Sequence, residues 1–285
     1  MPARTRGVSL LLVACLATAA AVSPLRAASL VFCSPGSPGD TAQAGPTMER
    51  LARAVEKSGG LTAQSVSAEY QESEAPGIAA IRAGALLVAV PMPFFAAHEK
   101  DLGLDPRLGI VAASGEPERF ALVTRKGTIA KPADLAGWEI TGTAGYAERF
   151  IRRAFAREFG AIPEGARITF TAAPLQALRR AATGDRIAVV LDAAATASVA
   201  SLPFGADLAI VARSEPFPAG LVCALKGAPG GKTAAAILKG LERLPKSPEG
   251  KEALAAIRVQ RFEPIDAAGA AKLRTAAGQE VGGRP

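Results

Sequence analysis

The feature that most constrains this chain is a regular alternation of short apolar runs with segments of helical spacing. "SLVFC" (29–33), "ALLVAV" (85–90), "IAVVLD" (187–192) and "GLVCALKG" (220–227) are too short for ordinary helices and rich in Val, Leu and Ile, so they read as buried strands. Between such runs lie segments with apolar residues every three or four positions, among them "TAQAGPTMERLARAVEKSGG" (41–60) and "PLQALRRAATGD" (174–185). Parallel strands need a crossover connection and a helix supplies it, so this alternation predicts an α/β fold with mainly parallel sheets. A chain of 285 residues has room for one large domain or two ordinary ones.

The same reading places further strands in "LTAQSVSAEY" (61–70), "LGIVAAS" (108–114), "RFALVTRKG" (119–127), residues 138–141, "RITFTAA" (167–173) and "ADLAIVARS" (206–214). Asp40 with Gln43 predicts a capping box at the first helix, and Pro46 predicts a kink there or a later start. Residues 131–160 read as a short helix, a strand, the turn "TGTAG" and a long helix. Everything after residue 227 reads as helical, ending in a loose glycine- and proline-rich tail.

The amino terminus has an anatomy of its own. Arg4 and Arg6 precede an uncharged apolar run over residues 8–22, and "SPLRA" leads to the small residue Ala27. That is the pattern of a secretory signal, and the run is shorter than the roughly 20 residues of a membrane span. "LVAC", ending at Cys15, also fits a lipoprotein cleavage box, but apolar residues continue to Val22 and put Cys15 in mid-segment. Cleavage near Ala27 and a soluble periplasmic protein are therefore expected. Loss of residues 1–27 removes Arg4, Arg6 and Arg26 and no acid, which lowers the formal charge from +7 to +4. The remaining bases alternate with acids, which argues against nucleic acid as a partner.

Cys33 and Cys223 both lie in apolar strand-like runs, where a buried thiol and a disulfide are both open. With one histidine, His98, and no CxxC, the sequence offers no metal site and indicates no cofactor.

In order and spacing, "RFALVTRKG", "KPADLAGWEI", "TGTAGYAERF", "AATGDRIAVVLDAAAT", "PAGLVCALKG" and "LPKSPEGKEALAAI" with "FEPID" resemble the type II periplasmic solute-binding proteins, in their phosphate/phosphonate branch. The likeness covers about residues 29–275. It implies a two-lobed fold, two sheets flanked by helices and two inter-lobe crossings, with the ligand held between the lobes. Lobe 1 would comprise 28–118 and 217–285, and lobe 2 would comprise 119–216. It also implies a monomer that performs no chemistry, captures a small anionic ligand and hands it to a membrane permease. A sensing component with the same architecture, or an enzyme on the same fold, is the alternative.

Phosphonate binders of that family carry a Ser-Thr-Ser-Gly-Tyr run at the start of a helix in lobe 2. The matching run here is Gly142-Thr143-Ala144-Gly145-Tyr146, which keeps one hydroxyl of three. A helix N-terminus with its N–H groups suits an anion, so Thr141, Thr143, Ala144, Gly145 and Tyr146 are candidate ligand residues, with ordinary capping as the other reading. Ser34 and Ser37 in "SPGSPGD" and Phe94 in "PMPFF" follow strands of lobe 1. Each is a candidate, against a plain turn for the serines and a core position for Phe94. Arg119 at the first crossing and Asp192 at a strand end complete the set, with capping the stronger reading for Asp192. "GAPGGKT" (227–233) is rejected as a phosphate loop, since only three residues separate Gly227 from Gly231.

Overall fold

The computed structural model describes residues 27–37, 39–227 and 231–278. Residues 1–26 of the leader read over 1–27, with Cys15, and the tail from 279 lie outside those residues, as does part of "GAPGGKT". The strands are β1 (Ala28–Cys33), β2 (Val66–Gln71), β3 (Ala85–Val90), β4 (Leu104–Ala112), β5 (Ala121–Arg125) and β6 (Glu139–Gly142). They continue as β7 (Arg167–Phe170), β8 (Ile187–Leu191), β9 (Leu208–Arg213), β10 (Gly220–Leu225) and β11 (Val259–Pro264). The helices are α1 (Thr41–Gly59), α2 (Glu74–Arg82), α3 (Met92–Leu102), α4 (Glu148–Ala154) and α5 (Pro174–Thr183). After them come α6 (Ala193–Ser198), α7 (Gly231–Arg243), α8 (Pro248–Ala256) and α9 (Ala267–Ala276).

Two sheets flanked by helices make the two lobes. One runs β11-β4-β10-β3-β1-β2 and the other β7-β6-β8-β5-β9. Within the first, β1 to β4 share a direction; within the second, β6 to β9 do. The strands that enter each lobe from the other, β5 and β10, insert antiparallel between two neighbours, so both sheets are mixed.

Three expectations change. β11 replaces part of the all-helical C-terminal stretch and pairs antiparallel with β4 at the sheet edge. Half of its residues are polar and only Phe262 is buried, so nothing local distinguishes it; the open edge of β4 does. The long helix expected after residue 146 is the seven-residue α4. The stretch 61–65 is an irregular connection, and β2 begins only at Val66. The first helix keeps its start: Asp40 Oδ1 accepts the Ala42 and Gln43 N–H groups, and Pro46 is accommodated inside α1.

The open question of a disulfide is resolved by register. Cys33 ends β1 and Cys223 lies in β10, with β3 between them. Two inter-strand spacings separate their backbones by roughly 10 Å, beyond the reach of a bridge. Both thiols are free and fully buried. Burial, aided by Glu74, pushes the Cys33 thiol up to about 12, and burial likewise raises that of Cys223. A thiol reagent is expected to leave both unmodified in the native protein and to label both on unfolding. Rapid native labelling of Cys33, read by mass spectrometry, would show that β1 opens readily.

Candidate functional site

In open α/β sheets, the segments beyond the carboxyl ends of the strands converge on ligands. Here the segments after β1 and β2 face those after β6 and β7 across a cleft of about 590 Å³, within the size range of small-molecule sites. Gly36, Ser37, Glu72 and Glu74 line it from one lobe. Tyr146, Phe170 and Pro174 line it from the other.

The first wall is laced together by its backbone. Ser34 N donates to Gln71 O at 3.0 Å and Gly36 N to Glu72 O at 3.2 Å. Gly36 has a φ of +76°, and a methyl group on it would lie 2.8 Å from Thr143 Cβ and 3.3 Å from the Phe170 ring. The lobes meet there, at a point where only glycine fits. Glu72 Oε2 accepts the Thr41 N–H at 2.7 Å and the Thr41 hydroxyl as well. The hydroxyl bond is the main reason its carboxyl lies below the usual range. Glu74 Oε1 lies 2.7 Å from His98 Nε2, and the His98 ring packs against Phe94 with centroids 4.6 Å apart and a tilt of 51°.

The second wall is aromatic. Tyr146 is half-buried, and its ring centroid lies 6.2 Å from that of Phe170 at a tilt of 54°. Burial first, then the proximity of Cys33 and Glu74, raises its phenol well above the ordinary value. Phe170 remains 48% exposed, an open ring at the mouth of the cleft.

The run that suggested an anion site has a different construction. Gly145 N donates to Gly142 O at 3.0 Å and Ala147 N to Ala144 O at 2.9 Å, so two N–H groups are spent on internal turns before α4 begins. The Thr141 hydroxyl donates to Thr169 O at 3.2 Å inside the sheet. Ala144 is only 4% exposed and belongs to the core, so a carboxylate there would be buried rather than offered to a ligand. Gly145 is packed against the Thr169 carbonyl. From this run, Tyr146 lines the cleft and Thr143 abuts Gly36.

The remaining candidates separate. Ser37 lines the cleft, and Ser34 lies in the same loop, half-buried. Phe94 is fully buried beneath His98. Arg119 donates to Ser214 O at 3.0 Å and pairs with Glu158 at 3.4 Å, which ties one crossing to the other. Asp192 caps α6, its Oδ1 accepting from Ala195 N at 2.7 Å. Beside it, Glu118 Oε1 accepts from Ala193 N at 2.6 Å, and burial raises that carboxyl. Sequence reasoning missed Glu72, Glu74 and Phe170. Each stands at or just beyond the end of a strand, β2 or β7, and that placement was the signal available.

The family model described as "ABC transporter, phosphonate, periplasmic substrate-binding protein" matches residues 36–269. Among solved structures, a Xanthomonas citri protein bound to chloride ion is similar at 14% identity and a TM-score of 0.67, covering 88% of this chain and 96% of that one. A binding protein component of an ABC phosphonate transporter from Pseudomonas aeruginosa follows at 14% identity and 0.61, covering 88% and 85%. PhnD1 from Prochlorococcus marinus, in complex with methylphosphonate, shows 12% identity and 0.55, covering 88% and 97%. No curated protein sequence matches the chain. At such identities the structures establish the shared fold, and the family model spans most of the chain. The chain belongs to the periplasmic substrate-binding family of phosphonate ABC transporters, binding proteins that take up small molecules together with membrane permeases rather than transform them.

Proposed function

We propose that this protein is exported by its N-terminal leader, captures a small solute between its lobes as a monomer and delivers it to a permease. The observation that carries this reading is the cleft itself. It is fed by four strand ends, two from each sheet, so a solute inside it touches both lobes and favours their approach. Lobe bounds of 28–118 with 217–285, and of 119–216, accord with the paired crossings. There Glu118 N donates to Phe217 O and Phe217 N to Glu118 O, each at 2.8 Å. Phe150 packs between Phe120 and Phe217 at 5.2 and 5.4 Å beside that bridge, a hinge of rings. An anionic ligand would have Thr143 and the uncommitted part of its turn as donors. It would also share the cleft with Glu72 and Glu74, so the geometry supports capture more strongly than it supports an anion.

Expressed as the full chain in a bacterium, the protein is expected in the periplasmic fraction with an N-terminus near Ala28. N-terminal analysis that finds an acylated Cys15 would replace soluble release with a lipid anchor. A thermal-shift panel of phosphate, phosphite, alkylphosphonates, sulfonates, amino acids and small amines is expected to give at least one rise in Tm. Saturation with that solute should shrink the radius of gyration in small-angle scattering. A panel without any shift would overturn solute capture, and a hit with an unchanged radius would remove lobe closure.

A further inference from the structure

The lining of the cleft is chemically one-sided. Its first-lobe wall carries two carboxylates, Glu72 and Glu74, and among the described lining residues there is no Lys, Arg or His. Its second-lobe wall carries the rings of Tyr146 and Phe170. A ring face bears the negative lobe of the aromatic quadrupole and attracts a cation, while it gives an anion no stabilisation. Carboxylates and ring faces therefore act in the same electrostatic sense, from opposite sides of one space. We propose that the cleft takes a small organic cation, an alkylammonium whose charge is met by Glu72 and Glu74 and whose carbons lie on Tyr146 and Phe170. This rests on the cleft being the solute site.

Four details sharpen the assignment. Glu72 accepts from the Thr41 N–H and the Thr41 hydroxyl, donors that favour its carboxylate over the neutral acid. Glu74 is oriented through one oxygen by His98, and its Oε2 has no partner among the described residues. It can accept from a ligand N–H without giving up its support. Thr41 engages one oxygen of Glu72 and His98 one of Glu74, so each carboxylate keeps its other oxygen free of donors among the other described residues. An ammonium, a compact charge that needs one oxygen from each, suits that arrangement. Phe170 has the exposure expected of a ligand platform: nearly half of it is open to solvent, although it sits against Gly36 and Tyr146.

The test is calorimetric titration of the whole mature chain, in a buffer free of amines and phosphate, with two probe series. The cationic probes are tetramethylammonium and butylammonium, and the anionic probes are methylphosphonate and inorganic phosphate. A cationic probe is expected to bind, and the anionic ones are not. Phe170→Ala should weaken that binding about tenfold, and Glu74→Gln should weaken it at least as much. Glu72→Gln is a second charge variant in case Glu74→Gln disturbs the His98 pairing. Phe170→Ala truncates a side chain that is 48% exposed and is expected to keep the fold.

Anionic probes that bind and lose affinity in Phe170→Ala would overturn the cation while leaving solute capture intact. Cationic binding unchanged in all three variants would place the cation elsewhere and overturn the site. Silence from both probe series would overturn the cation. Whether capture itself also falls is then decided by the wider thermal-shift panel, where a hit among the other solutes keeps it.

Discussion

Gly145→Ala is expected to lower stability by about 3 kcal/mol, at the upper end of what an overpacked site costs. The new methyl carbon would stand 1.8 Å from Thr169 O, with Thr169 C at 2.3 Å and Phe170 N at 2.6 Å. None of these is the end of a flexible side chain. Thr169 lies in β7 and is paired with Thr141 of β6, so neither strand can swing aside without losing ladder bonds. The turn itself is held by the Gly145 N to Gly142 O bond. Relief requires a shift of more than an ångström in a segment that carries Phe170, so the cleft should change with the fold. In a protein of this size the fall in Tm is expected to be roughly 6–12 °C. A Tm equal to that of the parent would show that the turn is loosely seated on β7.

Phe94→Ala is expected to cost about 3–5 kcal/mol, as removal of a fully buried ring does. The ring lies in the core beneath His98, 4.6 Å away, and His98 orients Glu74. Truncation therefore leaves a cavity under the first cleft wall, and Phe94→Leu, which refills most of the volume, should recover much of the stability. Denaturant unfolding of the two variants beside Phe170→Ala separates the kinds of phenylalanine in this molecule. Phe94 should govern stability and Phe170 should govern affinity. Unaltered stability in Phe94→Ala, with loss of ligand binding, would return Phe94 to the list of ligand contacts.

Much of the architecture was readable from residues alone, and the reason is local. Runs such as "ALLVAV" are buried on both faces of a sheet and carry that requirement in their composition. Asp40 and Asp192 each cap the helix that follows, a short-range bond that any sequence window contains. β11 was not readable, because its pairing partner β4 is about 150 residues away and its own residues face mostly outward. The limit of the Gly142–Tyr146 run was similar. Its composition announces a turn, but whether its N–H groups point at a ligand or at their own carbonyls depends on backbone angles that composition leaves open.

By itself, the sequence determined the alternation of strands and helices, the positions of most strand ends and the kinship with a family of two-lobed binding proteins. The first two follow from periodicity and caps, which act over a few residues, and the kinship follows from the order and spacing of motifs along the chain. Only the tertiary structure decided what faces the cleft. It brought Glu72 and Glu74 opposite Tyr146 and Phe170, turned Ala144 into the core and left Cys33 and Cys223 separated by β3. Each of these outcomes depends on the packing of two lobes whose residues lie far apart in the chain. A side chain's charge is written in the sequence, whereas the company it keeps is set by the register of the sheets and the angle between the lobes.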